Sequence, residues 1–193
     1  MSDDLEQDDV SDGELLYRLS HGDERAYRDL FRRHQTVTYR VALLMVRTPQ
    51  DAEEVVGSAF LELWRKRESV RLVDNSVRPW LLATVTFAAK NQLRGMRRYQ
   101  RLLRKIPDWG NTPDHADEIA RVLDGINMAS DVRTALSELS ADYAAVLLLC
   151  VVQELTIRST AQALGIPEGT VKSRLCRAKA QLRHRLQTKA QFH

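Results

Sequence analysis

The sequence predicts an all-α protein of two small helical domains joined by a flexible linker. Three observations predict it. Apolar residues recur three and four positions apart on either side of residues 106–116. That central segment, Ile-Pro-Asp-Trp-Gly-Asn-Thr-Pro-Asp-His-Ala, breaks the period with two Pro and one Gly. Turn formers are otherwise scarce: the 193 residues hold 8 Gly and 5 Pro, and no segment alternates apolar and polar long enough to demand a sheet.

The elements follow in order. Residues 1–10 read as a disordered acidic tail, too poor in apolar groups to offset the entropy of ordering. Ser11-Asp12-Gly13-Glu14 fits a capping box opening a short helix with Leu15, Leu16 and Leu19. Gly22 can end it and Asp23 can cap the next, which runs to about Val46 with Ala26, Tyr27, Leu30, Phe31, Val37, Val41 and Leu44 on its apolar face. Thr48 is a good N-cap and Pro49 suits the first position of the third helix. Its stripe is Ala52, Val55, Val56, Ala59, Phe60, Leu63 and Trp64, and it ends in Arg65-Lys66-Arg67, which suits the negative end of a helix dipole. After a loop, Glu68 to Ser76, a fourth helix begins near Pro79 and extends toward Lys105, its core stripe Leu81, Leu82, Val85, Ala88, Ala89, Gln92, Leu93 and Met96. Four helices with short connections make a bundle over residues 11–105. Residues 106–130 read as a linker, partly helical toward its end, and residues 131–193 as a second domain of three or four helices reaching about Leu186.

Charge is unevenly placed. The formal net charge is only +3, yet residues 1–14 carry seven acids and no base. Between Arg94 and Lys105 lie six bases and no acid, and between Ile166 and Lys189 seven Lys/Arg face Glu168 alone. Two basic stretches suggest two contacts with a polyanion, although solvated helix faces would have the same composition. The acidic tail has the charge to lie on a basic helix and compete with that polyanion.

The most specific local signal spans residues 156–186. Thr156 can cap a short helix with Ile157, Ala161 and Leu164. A small residue at Ala161 lets two helices cross closely, and Gly165 accepts the positive φ of a sharp turn. Pro167 and Thr170 mark the start of a second helix, whose back is sealed by Ile166, Val171 and Leu175. This is a helix-turn-helix read from packing needs, with Thr170, Lys172, Ser173, Arg174, Cys176 and Arg177 offered from the first turns of the second helix. Arg and Lys read guanine edges or hold phosphates, Ser serves either role, and Cys176 can touch a thymine methyl or simply pack.

These residues resemble a known family. Leu164-Gly165-Ile166-Pro167-Glu168-Gly169-Thr170-Val171-Lys172-Ser173-Arg174-Leu175, then Arg177-Ala178, looks like the promoter-reading C-terminal domain of extracytoplasmic-function (ECF) sigma factors, group IV of the primary-sigma-like family. Ala135-Leu136-Ser137-Glu138-Leu139 resembles the lead-in to that domain. Asp51-Ala52-Glu53-Glu54-Val55-Val56 with Ala59-Phe60-Leu61 and Trp64 is similar to the family's polymerase-docking helix. Pro79-Trp80-Leu81-Leu82, Asn91 and Leu93-Arg94 resemble the helix that opens the promoter.

The resemblance implies a region 2 domain over 11–105, which binds the clamp coiled coil of the polymerase largest subunit and reads the minus-ten element. It implies a region 4 domain over 131–193, which reads the minus-thirty-five element and contacts the flap of the second-largest subunit. The linker would thread toward the active centre and the RNA exit path. Family members are often held inactive by an anti-sigma protein, a further expected partner. Physical chemistry agrees with these roles, because holding separated strands takes aromatics and a basic track. Trp80, Thr84, Phe87, Asn91, Arg94 and Arg98 share one stripe, with Arg97 beside it. Trp80 fits a core position equally well, and Phe87 fits one slightly better. The loop from Val73 to Val77 would shape a pocket for a flipped base. For docking, Asp51, Glu53, Glu54, Glu62 and Trp64 are the candidates.

Three departures from the family pattern stand out: Gly57-Ser58 where a Gln and an acid are usual, Phe87 where an Asn is usual, and Ser159-Thr160 in place of a common Glu-Ile pair. Two other functions remain open at this point. A stand-alone helix-turn-helix regulator would bind DNA tightly without polymerase, and a purely protein-binding helical module would have salt-insensitive DNA affinity. An enzyme is not expected. The five His (His21, His34, His115, His184, His193) form no cluster with acids or Cys at ligand or triad spacing, and Cys150 and Cys176 fit no metal pattern. Neither cofactor nor metal is expected. No signal peptide or bilayer-spanning run is recognisable, the longest apolar run being Ala144–Val152, so a reduced cytoplasmic setting without membrane insertion is expected.

Overall fold

A computed structural model describes residues 10–46, 48–103 and 130–190. Most of the acidic tail, the linker between Leu103 and Ser130, and the expected end of the fourth helix at Lys105 lie outside the described residues. So does the side chain of Arg97. Among the described residues the fold is all-α, with one isolated bridge pairing Val73 and Ser76 in the turn before the fourth helix.

The helices start where local chemistry says they should. Helix α1 (Asp12–Ser20) is capped by Ser11, whose Oγ accepts from the Glu14 amide. Helix α2 (Glu24–Met45) is capped by Asp23, which accepts from the Arg25 amide at 2.8 Å. Helix α3 (Pro49–Lys66) carries Pro in its first turn and Thr48 as cap. Helix α4 (Arg78–Leu103) is the fourth member of this bundle. Leu19, Leu30, Val41, Val55, Phe60, Leu63, Leu81, Leu82 and Val85 are at most 1% exposed and form its centre. Burying a side chain of this size stabilises by about 1.5–3 kcal/mol each.

The second bundle has α5 (Ser130–Ser137), α6 (Ala141–Leu147), α7 (Ile157–Leu164) and α8 (Glu168–Ala190). Ser140 caps α6, which runs on through a π-helical turn, Leu148–Val152, and stops at Glu154 in the left-handed region, φ 55°. Thr156 caps α7 by accepting from the Ser159 amide at 3.0 Å. Gly165 then takes φ 64°, and the Ile166 amide reaches back to the Ala161 carbonyl at 3.1 Å. That closure satisfies carbonyls α7 would otherwise leave bare, and it turns the chain sharply into α8. Val171 and Ala178 are fully buried on the back of α8.

Three apolar residues depart from the sequence expectation. Phe31, on the apolar face of α2, is 36% exposed with its ring against Phe60, centroids 4.7 Å apart. Met96, expected in the core stripe of α4, is 38% exposed, because the helix has left the bundle by then. From Arg94 to Arg101 every described side chain of α4 is exposed. Phe87, for which a core position was the better fit, is 47% exposed.

A buried network ties the bundle together. Asp12, at the start of α1, is 6% exposed. Its carboxylate accepts from Arg33 Nη1 (2.9 Å), His34 Nε2 (3.0 Å), Ser76 Oγ (2.6 Å) and the Val77 amide (3.0 Å). Burial pushes its pKa up, but the hydrogen bonds from His34, Ser76 and Arg33 outweigh that and hold it well below the usual carboxylate range. One side chain therefore joins α1, α2 and the turn that launches α4.

Candidate nucleic-acid interface

Two groups of candidate residues lie on α4 and α8. On α4, Trp80 is half-buried against the core, and Thr84 donates its hydroxyl to the Trp80 carbonyl at 2.9 Å. Phe87, Asn91, Arg94 and Arg98 are exposed below them, so the stripe grades from aromatic to basic. This grading suits a strand whose bases stack at one end while its phosphates track the other. Arg97 cannot be placed on this face, its side chain lying outside the described residues. Sequence reasoning missed Tyr99, 63% exposed among the arginines, and took Met96 for core.

The loop before α4 is shaped by its backbone. Asp74 and Asn75 both have positive φ, 53° and 57°, a region Asp and Asn tolerate better than most residues. Val73 and Val77 are buried at its ends. A cleft of about 610 Å³ opens beside it, lined by Arg71, Val73, Trp80, Phe87, Gln162 and Gly165 among others.

On α8, Lys172, Ser173, Cys176 and Arg177 are exposed and Thr170 is half-buried. Cys176 therefore does not pack in the core; it stands on the same open face as Arg177. Arg174 behaves differently. It is half-buried, with Nη2 3.7 Å from Asp142 Oδ2 of α6. Asp142 also accepts from Lys90 Nζ of α4 at 2.5 Å. That Lys90 hydrogen bond, with the charges of Lys90, Arg174 and Arg94, outweighs burial and holds the Asp142 carboxyl below its ordinary value.

The docking candidates of α3 separate into two kinds. Glu53 is exposed. Asp51 is engaged inside the bundle, accepting from the Thr48 hydroxyl (2.6 Å) and from Gln92 Nε2 (2.7 Å). Glu54 also accepts from Gln92 (3.2 Å), and Glu62 pairs with Lys66 (2.9 Å). Trp64 is half-buried, edge-on to Tyr27 and under the Arg67 guanidinium, 5.2 Å from its ring centre. The sequence did not disclose a groove of about 420 Å³ between α2 and α3, lined by Phe31, Gln35, Thr36, Tyr39, Glu53, Val56 and Gly57. Only the exposed Phe31 hints at it, and Gly57 leaves it open for want of a side chain.

Comparison with known proteins decides the family. Residues 30–99 match sigma-70 region 2, and residues 129–182 match sigma-70 region 4. The chain is 35% identical over 172 residues to the ECF RNA polymerase sigma factor SigM of Mycobacterium tuberculosis (strain ATCC 25618 / H37Rv), covering 89% of this chain and 83% of the relative. The chain belongs to the ECF sigma factor family. A second relative, the ECF RNA polymerase sigma factor SigL of the same strain, is 33% identical over 164 residues, covering 83% of this sigma factor and 88% of the relative. The fold is shared with CnrH, solved in complex with the cytosolic domain of CnrY, at TM-score 0.66 and 23% identity over 93% of this chain and 99% of that one. It is shared also with the Bartonella quintana sigma factor RpoE, solved with the anti-sigma factor NepR, at TM-score 0.58 and 22% identity over 79% and 91% of the two chains. In this sigma factor the region 2 match covers α3 and most of α2 and α4, whereas α1 precedes it.

Proposed function

We propose that this sigma factor binds core RNA polymerase and directs initiation at particular promoters, with residues 11–105 and 131–193 as its two working domains. The α4 stripe of Trp80, Thr84, Phe87, Asn91, Arg94, Arg97 and Arg98 takes the minus-ten element and holds its opened strand. The α8 face of Thr170, Lys172, Ser173, Arg174, Cys176 and Arg177 takes the minus-thirty-five element in the major groove. Phosphate contacts set the register on the duplex, and base contacts carry the sequence preference. Docking on the largest subunit's clamp falls to Glu53, Glu54, Glu62, Trp64 and Asp51, with the Phe31 groove beside them. The flap of the second-largest subunit meets the region 4 domain. The protein supplies no catalysis of its own and works in the cytoplasm, where the polymerase is. An anti-sigma protein is a fitting regulator, since both solved structures described above are complexes, one of them with a named anti-sigma factor.

The observation that carries this reading is the pairing of two exposed basic helices, one behind an aromatic platform and one behind a Gly165 turn, within a family of sigma factors. The test is transcription start mapping with purified core polymerase. Defined starts dependent on this protein are the expected result. Tight specific DNA binding without polymerase, and no starts, would make it a stand-alone regulator instead.

A further inference from the structure

A further cleft, used by none of the roles above, lies between α1 and the chain that follows α3. Its volume is about 480 Å³, and Tyr17, Ser20, His21, Arg67, Glu68 and Leu72 stand in its wall. The loop after α3 divides it from the cleft in front of Trp80. Glu68 and Val70 line the α1 side, Ser69 and Arg71 line the Trp80 side, and Leu72 lines both. A strand crossing Leu72 passes from one cleft into the other.

The α1 wall is held in place by the fold. Asp12 ties the head of the helix to Ser76 and Val77. Gly13 lets α1 close on the loop, since a Cβ there would stand 3.2 Å from Leu72 Cδ1 and 3.3 Å from Asn75 Oδ1. At the other end of α1, Tyr17 is 61% exposed, with the His21 ring beside it, centroids 4.3 Å apart. His21 is fixed there, because its Nδ1 donates to the Tyr17 carbonyl at 2.9 Å. An exposed phenol ring braced by a neighbour is a stacking surface for a base.

The other wall sets a donor and an acceptor side by side. Arg67 Nη1 donates to the Trp64 carbonyl at 2.9 Å, and the guanidinium lies over the Trp64 ring. Its Nη2 has the Glu68 carboxylate at 3.9 Å, too far for a hydrogen bond. The Glu68 side chain is 76% exposed. Guanine is the base whose edge fits such a pair. Its N1–H and N2 amine are adjacent donors for one carboxylate, and O6 beside them accepts from a guanidinium. Adenine places an acceptor nitrogen next to its single amine, and a carboxylate repels that nitrogen.

We propose that this cleft is a pocket for an unpaired guanine of the opened strand, which it takes as the strand leaves the Trp80 and Phe87 platform. The inference rests on the reading of α4 as the strand-holding helix. Tyr17 stacks the base, while Glu68 and Arg67 read its edge. A free guanine nucleotide carries the same base, and the test separates the two sources.

The test uses the full chain and fluorescein-labelled single strands of about 12 nucleotides, built of TTG repeats or of TTA repeats. Guanines spaced by thymines put one within reach of the cleft in any register. Binding is followed by fluorescence anisotropy at low salt. The wild type should bind the TTG strand about fivefold or more tightly than the TTA strand. Glu68→Gln should remove most of that preference by weakening the TTG strand alone. Loss of a negative charge by itself strengthens binding to any strand, so this loss reads the base contact. Tyr17→Ala should weaken the TTG strand about fivefold or more. Both side chains are exposed, so the fold is kept. Phe87→Ala reads the α4 platform separately, by a loss on both strands. Equal wild-type affinity for the two strands, with Phe87→Ala still weakening both, overturns the guanine pocket and leaves the α4 reading standing. Binding of neither strand removes the α4 reading, and the pocket with it. Tyr17-dependent binding of deoxyguanosine monophosphate in calorimetry, without any strand preference, overturns the strand as the source and assigns the cleft to a free nucleotide.

Discussion

Asp12→Ala should cost this protein much of its stability, although the residue sits beside an acidic tail and looks dispensable. The wild-type carboxylate accepts from Arg33, His34, Ser76 and the Val77 amide. Arg33 is 29% exposed and regains water when its partner goes. The His34 ring and the Val77 amide do not, since both residues are buried. Each stranded buried donor costs about 1–3 kcal/mol, giving a loss of roughly 3–5 kcal/mol for Asp12→Ala and somewhat less for Asp12→Asn, which keeps one acceptor. Urea unfolding of the full chain at pH 7 measures it, with Glu14→Ala as a control, because among the described residues the Glu14 carboxylate pairs with the exposed Arg18. The depressed Asp12 pKa also sets a pH signature. Its folded-state value lies below the unfolded one, so its contribution is complete above about pH 4 and is lost as pH falls through the folded-state value. The stability gap between wild type and Asp12→Asn should therefore narrow only under strongly acidic conditions. A loss below about 1 kcal/mol at pH 7 would refute the view that this carboxylate locks the head of α4 to the bundle.

Other outcomes follow from exposure and geometry. Lys172→Ala, at an exposed position of α8, should weaken binding to all duplex sequences alike and lower the salt slope of log affinity by about 1 in a salt titration. Phe87→Ala should change unfolding free energy by no more than about 0.5 kcal/mol, because its ring is exposed. It should still slow promoter opening, read by permanganate reactivity of unpaired thymines. Gly165→Ala should destabilise by about 1 kcal/mol or more, because alanine resists φ 64° although space for its Cβ is open; thermal unfolding checks it. Filling the α2–α3 groove with Gly57→Leu should leave stability nearly unchanged and reduce affinity for core polymerase in a pull-down titration.

Much of this protein is legible in its sequence because much of it is local. Ser11, Asp23, Thr48 and Thr156 each cap a helix through a bond to a backbone amide two or three residues on, so the residue type at the right place is enough. The Gly165 turn and the Val171 backing are likewise decided within a few residues, which is why the helix-turn-helix could be read directly, although Ile166 and Leu175, read as sealing the same face, are only half-buried. Periodicity told which face of each helix is apolar. It did not tell what covers that face, so Phe31, Phe87 and Met96 are exposed although each falls on an apolar stripe of α2 or α4. Charge type was equally silent about partners. Nothing in the residue type of Asp51, a docking candidate, shows that Gln92, 41 positions away, donates to it.

What only the tertiary structure decided are the contacts across long loops. Asp12 meets Val77 over a separation of 65 residues, and Ser159 meets Asp74 over 85. In sequence, Asp12 is one more acid of the tail and Ser159 one substitution in a motif. Their roles arise when packing brings distant donors and acceptors within hydrogen-bond distance. Local propensity cannot encode that proximity, because the energy that creates it comes from burying the helices together.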